Sequence, residues 1–509
     1  MAAPVKIIIL GGGTSGWMCA AALSELIRTG RYSVRLVESD EIGTVGVGEA
    51  TLPHIKAFND SLGIDEAEFM RRTQATFKLG IEFVDWGKAG NRYIHPFGAF
   101  GQNWAGIDFH HHWLRARQAG VEVAPLEAYS FAIAAARAGK FEFPGTDARS
   151  VKSTYAYAYH FDAGLYAGFM RDFATARGIM RTEGRVQDVQ HDPESGDIRR
   201  LVLQSGETID GDLFVDCSGF VALMIDKALH AGWEDWSQWL PCDRAWAVPT
   251  ARAEPFTPYT RSTAREAGWQ WRIPLQHRTG NGYVFAGAFT TEDKARETLL
   301  ANLDGPPLAE PKLLRFKAGR RTHSWTKNCI AIGLSSGFLE PLESTSIYLV
   351  QAAVAQLLKL IAARDDPRAR AEFNRAVDVE YDRVRDFLIL HYYANTQTDG
   401  ELWQHTRTMP IPDSLAQKIE LFRHRGAIAT YRDGLFSPPS WLSVYYGQDV
   451  HPQGYDRAAD GLPLDMVTEK LDELHKRIAS QVDAMATHAA AVRSYCAEPV
   501  QPVAAGGAQ

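Results

Sequence analysis

Residues 5–10, VKIIIL, form a continuous apolar run of strand length; the GGGTSG that follows leads into WMCAAALSELI, where Ala20, Leu23 and Ile27 recur at helical spacing. This pattern predicts strand, tight turn and helix, and YSVRLVE at 32–38 adds a second strand to complete a βαβ opening. Between Val186 and Val215, short β-like runs broken by DPESGD and SGET predict a meander of hairpins, ending in DLFVDCSGF, a strand that runs into a glycine turn. In FKLGIEF, at 77–83, alternation places Phe77, Leu79, Ile81 and Phe83 on one face and Lys78, Gly80 and Glu82 on the other, so that Lys78 projects from a strand. After the turn-like GFLEPLEST of 337–345, Ile347, Val350, Val354, Leu357 and Ile361 predict a buried helix. Further helical patterns span about 368–390 and 464–496, the Pro-containing joints near 144, 306 and 411 read as loops, and the tail 498–509 is expected to be disordered.

A chain of 509 residues exceeds the roughly 250 to 300 at which one core stops growing, so intimately joined modules are expected. The reading is an α/β protein of two intertwined modules, one built on the βαβ opening and the other a mainly helical substrate module. The first takes residues 1–75, 151–240 and 315–365, and the second 76–150, 241–314 and 366–497. A formal net charge of -7 gives no electrostatic footprint for nucleic acid. No signal-peptide pattern is present and no stretch approaches the ~20 apolar residues of a membrane span. The five cysteines lack CxxC spacing, which argues against a zinc site or a disulfide framework and fits a reducing cytoplasm. His110, His111 and His112 point apart as consecutive residues, so no metal site is expected there.

Gly11, Gly13 and Gly16 make a GxGxxG between strand and helix, with Thr14 and Ser15 inside it. Glu38 ends the second strand, where a carboxylate accepts hydrogen bonds from an adenosine ribose. TVGVGEATLP at 44–53, which contributes Gly48, Glu49 and Ala50, and DLFVDCSG at 212–219 suggest further approaches to one extended cofactor, which favours FAD over NAD. The first module is therefore expected to be a Rossmann-type FAD-binding module of the flavin monooxygenase/glutathione reductase type. No second GxGxxG exists for a nicotinamide domain, so reduced flavin is expected from another protein.

At 268–274 the chain reads GWQWRIP, whose Trp269 and Trp271 share one face of a strand and suit a wall that keeps an organic substrate away from the flavin. Together with GGGTSGW, GVGEATLP, FKLGIEFVDW, HPFG, YHFDAGL, DLFVDCSG, GNGYVF and GLSSGFLEPLESTS, in that order along the chain, this motif resembles the flavin-dependent halogenases, and most closely the tryptophan halogenase family. The resemblance covers nearly the whole chain. It implies that FADH2 from a separate flavin reductase, oxygen and chloride or bromide generate hypohalous acid, which Lys78 relays to an electron-rich, indole-type ring. Lys78 and Glu343 would be the catalytic pair, with Glu343 orienting the electrophile or taking the ring proton.

The same resemblance places the halide at backbone near Thr345 and Ser346, where a helix N-terminus favours an anion, and Gly333 at the cofactor. Ser346 stands where tryptophan-specific members carry glycine. His95 and Phe97 match residues that sandwich the indole, with Trp441 on the substrate. In tryptophan-specific members the segment leading to the residue matched by Trp441 supplies paired tyrosines and a glutamate for the amino-acid backbone. Here that segment is GLFSPPSW, 434–441, so free tryptophan is not the expected substrate. A monomer or homodimer is expected. The alternative is a single-component FAD-dependent aromatic hydroxylase, but such enzymes carry a GDAA-like sequence where this chain has Gly333, Leu334, Ser335 and Ser336.

Overall fold

The computed structural model describes residues 3–41, 48–429 and 434–497. The stretch 44–47 of the glycine-rich segment and the 498–509 tail, expected to be disordered, lie outside the described residues. A six-stranded sheet runs in the order Trp325–Thr326, Cys329–Ala331, Leu213–Asp216, Val5–Leu10, Tyr32–Glu38, Met180–Glu183 and is parallel except at the first pair. Its strand Val5–Leu10 is apolar and buried from Ile7 to Leu10 because both faces are covered there, as parallel sheets require. Ile7 and Ile9 enter the core that contains Trp17 and Leu23, whereas Ile8 and Leu10 pack with Phe214 and Met224. Helix α1, Thr14–Ile27, is buried from Gly16 to Ser24 because it is wedged between this sheet, the helix Ala163–Ala176 and helix α2, Ser346–Leu360. The predicted meander forms a three-stranded antiparallel sheet of Val186–His191, Ile198–Leu203 and Thr208–Asp210.

Besides helices, the remaining part contains a seven-stranded sheet: Lys312–Arg315, Arg244–Ala251, Arg278–Phe285, Gly268–Pro274, Thr260–Arg265, Gly80–Val84, Arg92–Pro96. The 27-residue helix α3, Pro367–Tyr393, packs on α2, and helix α4, Pro438–Gly447, covers the strand Arg92–Pro96. By length and composition Ser346–Ala363 is apolar enough to cross a membrane, yet Leu349, Val350, Val354 and Leu357 are buried against α1 and α3, as in a core helix.

Two local expectations are corrected. FKLGIEF is two strands: Thr76–Lys78 pairs with Ala158–Asp162, while Gly80–Val84 joins the seven-stranded sheet. Leu79 makes the break by donating its N–H to Pro258 O at 2.7 Å, and a Cβ on Gly80 would lie 2.4 Å from His95 O. Lys78 therefore sits where two sheets meet. The 464–496 pattern is likewise two helices, Leu464–Asp483 and His488–Tyr495, divided where Thr487 accepts the Ala490 N–H and caps the second.

Candidate active site

At the first βα turn the glycines are demanded by close contacts. A Cβ on Gly11 (φ +114°) would stand 2.2 Å from Cys217 O, and one on Gly16 would stand 1.9 Å from Gly11 O. Gly12, which the motif reading passed over, is equally constrained, because the Glu38 carboxylate lies over it at 1.4 Å from the position of a Cβ. A Cβ on Gly13, by contrast, would meet open space. The N-terminus of α1 has no side-chain cap and no acid in its first turn, so its free N–H groups and open glycine fit a pyrophosphate. Glu38 accepts from Trp17 Nε1 at 3.3 Å and faces Arg181 Nε at 2.5 Å, at the edge where a ribose would lie. Gly333, at φ +78°, packs on Ser15, and Gly48 meets Gly280 backbone to backbone, which leaves the strand Gly48–Ala50 close against the seven-stranded sheet. These residues fit FAD.

Lys78 is fully buried. Its Nζ donates to Thr51 O and to Ser344 Oγ, both at 2.9 Å, and lies 5.0 Å from the Phe97 ring centre. Burial pulls its pKa down to about 7, against the opposing pull of the Glu343 charge. Ser344, in the left-handed region at φ +60°, turns the chain sharply between the short 3-10 helix Pro341–Glu343 and α2, and so brings its own hydroxyl to Lys78 and turns Glu343 inward. Such a conformation costs about 1–2 kcal/mol in a non-glycine residue.

Glu343 is also fully buried, which rules out a solvated acid beside a simple cap. Its Oε2 is 2.8 Å from His95 Nδ1 and its Oε1 is 2.8 Å from His391 Nε2. Burial alone would raise its pKa, but the two imidazoles prevail and hold it at about 2. The His391 contact lies off the line of a hydrogen bond, so these two atoms meet at close range without one. At the start of α2 no side chain caps the helix, and Thr345 Oγ1 is buried without a hydrogen-bond partner, leaving unpaired donors there for an anion.

Trp269 and Trp271 lie side by side on the predicted strand, with ring centres 6.2 Å apart. Trp269 Nε1 donates to Glu340 Oε1 at 2.9 Å, and the Tyr392 hydroxyl donates to the same oxygen at 2.5 Å. Burial pushes Glu340 up to about 7. Near the catalytic pair, His95 lies 5.7 Å from Phe387 and 6.2 Å from Phe436, while Phe436 stacks on Phe387 at 3.8 Å. Trp441 closes this aromatic group at 5.1 Å from Phe387, its own ring covered by Lys418 Nζ at 5.1 Å. His391, Glu340, Phe387 and Phe436 were not legible as site residues. Glu340 alone carried a signal, as the first acid of EPLE.

Asp108, His110 and His111 bring potential ligand atoms within 4.8 Å of one another. His110 Nε2 donates to Gly426 O and His111 Nδ1 accepts the Asp456 N–H, so the ring lone pair left over is that on His110 Nδ1, a poor set for a cation.

The tryptophan halogenase profile matches residues 6–463. The chain belongs to the tryptophan halogenase family. Tryptophan 6-halogenase SttH of Streptomyces toxytricini is 38% identical over 478 residues, covering 87% of this chain and 89% of its own. Among solved structures, the flavin-dependent halogenase BrvH from Brevundimonas sp. BAL3 is 46% identical with a TM-score of 0.92, covering 96% of this chain and 99% of that one. Xcc4156, a flavin-dependent halogenase from Xanthomonas campestris, is 44% identical with a TM-score of 0.94, over 98% and 100% of the two chains. The chain is thus an FADH2-dependent aromatic halogenase with a Rossmann-type FAD module, and nothing in these likenesses favours the hydroxylase. Like other members of the tryptophan halogenase family, it depends on a separate flavin reductase for FADH2.

Proposed function

We propose that this halogenase acts on a non-zwitterionic, indole-type ring, with Lys78 presenting the electrophilic halogen and Glu343 handling the proton. The observation that carries the reading is the buried pair itself: Ser344 donates its geometry to both partners, fixing Lys78 by a hydrogen bond and Glu343 by chain connectivity. FAD, when bound, supplies with oxygen the oxidation that turns halide into hypohalous acid. Gly11, Gly13, Thr14, Ser15, Gly16, Glu38, Gly48, Glu49, Ala50 and Gly333 would hold it. Thr345 and Ser346 would hold chloride or bromide through the free backbone at the start of α2, and Trp269 and Trp271 would wall the substrate off. His95, Phe97 and Trp441 would line the ring site. Enzyme given FAD, a flavin reductase, NADH, bromide and indole should yield a product with the bromine isotope doublet; an oxygenated product, or none, would contradict the reading.

The substrate class follows from GLFSPPSW. Phe436 is stacked on Phe387 and Trp441 beside it, an apolar surface with no tyrosine pair and no carboxylate in 434–441. Asp449, a possible substitute for the missing acid, is already engaged by Lys88 Nζ at 2.5 Å. Bringing the charged ends of tryptophan to such a surface without partners costs several kcal/mol, whereas indole carries no such charges. In competition under identical conditions, indole is expected to be halogenated ahead of L-tryptophan. A clear preference for tryptophan would overturn this.

A second expectation concerns electron supply. With no second nucleotide fingerprint in the sequence, NADPH alone should leave enzyme-bound FAD yellow in an anaerobic cuvette, and bleaching should begin when a flavin reductase is added. Rapid bleaching without the reductase is the contrary result.

A further inference from the structure

His391 lies in the last turn of α3, and its Nδ1 is 2.8 Å from Phe387 O, the carbonyl one turn back. A carbonyl only accepts, so that nitrogen carries a hydrogen. The other nitrogen, Nε2, stands 2.8 Å from Glu343 Oε1, and both atoms are buried without another hydrogen-bond partner. If that nitrogen bore no hydrogen, two electron-rich atoms, an imidazole nitrogen and a carboxylate oxygen, would stand 2.8 Å apart inside the protein, where their repulsion is poorly screened. The close contact therefore requires a proton on the Glu343–His391 pair. His95 Nδ1 stands 2.8 Å from the other oxygen, so a ring nitrogen faces each oxygen of Glu343, the setting of an ionised carboxylate, and the proton belongs to the imidazole. Among the described residues, no second carboxylate pairs with these two histidines. Lys78 and His95 come from the neighbouring strands, and Tyr93, whose phenol burial holds well above its usual value, stays neutral. Phe83, Trp86 and Phe387 pack on the ring itself.

We propose that His391 is the positioning residue that stores this proton for the halogenation step. The proposal rests on Glu343 being the acid–base group. As the ring carbon takes the halogen from hypohalous acid held by Lys78, the O–X bond breaks and its electron pair stays on oxygen. The stored proton, passed through Glu343, turns the departing hydroxide into water. The ring carbon now carries both halogen and hydrogen, and its C–H proton goes to Glu343 and restores the pair. The sum is hypohalous acid plus arene giving haloarene plus water. The halogen is reduced, the ring carbon is oxidised, and no further reagent is consumed. His95 Nδ1, on the opposite oxygen, keeps the carboxylate plane fixed during both transfers.

The test is bromination of indole in single turnovers of the holoenzyme, with FAD, flavin reductase, NADH and bromide, across the neutral pH range. His391→Gln keeps a donor of similar reach but cannot hold an exchangeable charge. It is expected to slow bromination about tenfold or more, to leave the KM for indole and the affinity for FAD unchanged, and to remove one ionisation from the alkaline limb, leaving that of Lys78. A wild-type rate and profile, or a slower rate with an unaltered profile, would overturn the proposal. Glu343→Gln is run in parallel: if it too is near wild type, the Glu343 assignment itself fails, whereas a slow Glu343→Gln beside an unaffected His391→Gln condemns His391 alone. Should His391→Gln not bind FAD, the wild-type enzyme in D2O decides. A solvent isotope effect on the bromination step supports the stored proton, and its absence rejects it.

Discussion

Replacing Lys78 by alanine is expected to leave FAD binding and oxygen consumption intact while cutting halogenated product by at least two orders of magnitude, on the order of the loss of a preorganised electrostatic group. The reasoning is spatial. Lys78 lies on the strand Thr76–Lys78, and its partners are Thr51 O and Ser344 Oγ, whereas the glycine turn that fits the pyrophosphate is built from Gly11 to Gly16. Truncation removes the ammonium, whose pKa near 7 lets it serve both as a donor to hypohalous oxygen and, deprotonated, as a nucleophile toward the halogen. The oxidising half of the reaction should then run on and release hypohalous acid to solvent. Monitoring oxygen uptake and brominated indole in the same reaction separates the halves. A variant that keeps near-normal product would remove Lys78 from the mechanism, and one that loses oxygen consumption as well would make it a structural or cofactor residue.

Glu343→Gln should slow halogenation by about 100-fold, the usual scale of a positioned acid–base group. The change is nearly isosteric, but it removes a charge that His95 and His391 both face at 2.8 Å, and an amide cannot accept the ring proton. The variant also carries a signature at Lys78. Because the Glu343 charge raises the pKa of Lys78 against the effect of burial, its removal should move the Lys78 ionisation to lower pH. The pH dependence of residual activity, measured at saturating halide, reads this directly. An unchanged rate there excludes Glu343 as the acid–base group, and an unchanged ionisation would mean that the two charges do not sense one another.

What the sequence determined by itself were the features that depend on near neighbours. VKIIIL followed by GxGxxG is largely a local statement, because a strand covered on both faces is apolar where it is buried, from Ile7 to Leu10, and Gly16 answers a contact with Gly11 in the same turn; α1 and its strands formed where expected. The buried helix after GFLEPLEST and the paired indoles of GWQWRIP were legible for the same reason, since 3.6-fold and twofold periodicity translate directly into one face. The family signature, too, is carried by short contiguous segments. Only the tertiary structure decided what lies between distant segments. Alternation in FKLGIEF cannot reveal that Leu79 bonds Pro258 and splits the run between two sheets, yet that split is what puts Lys78 inside the protein. Likewise, His391 is one polar residue at the end of a long helix, and Phe436 one aromatic in a proline-rich loop. Their meaning comes from a carboxylate 48 positions away and from a helix on which that loop happens to fold. The protonation of the site is the extreme case: a histidine facing water and one pressed against Glu343 are the same letter, and burial, with the dielectric it imposes, is a property of the assembled core.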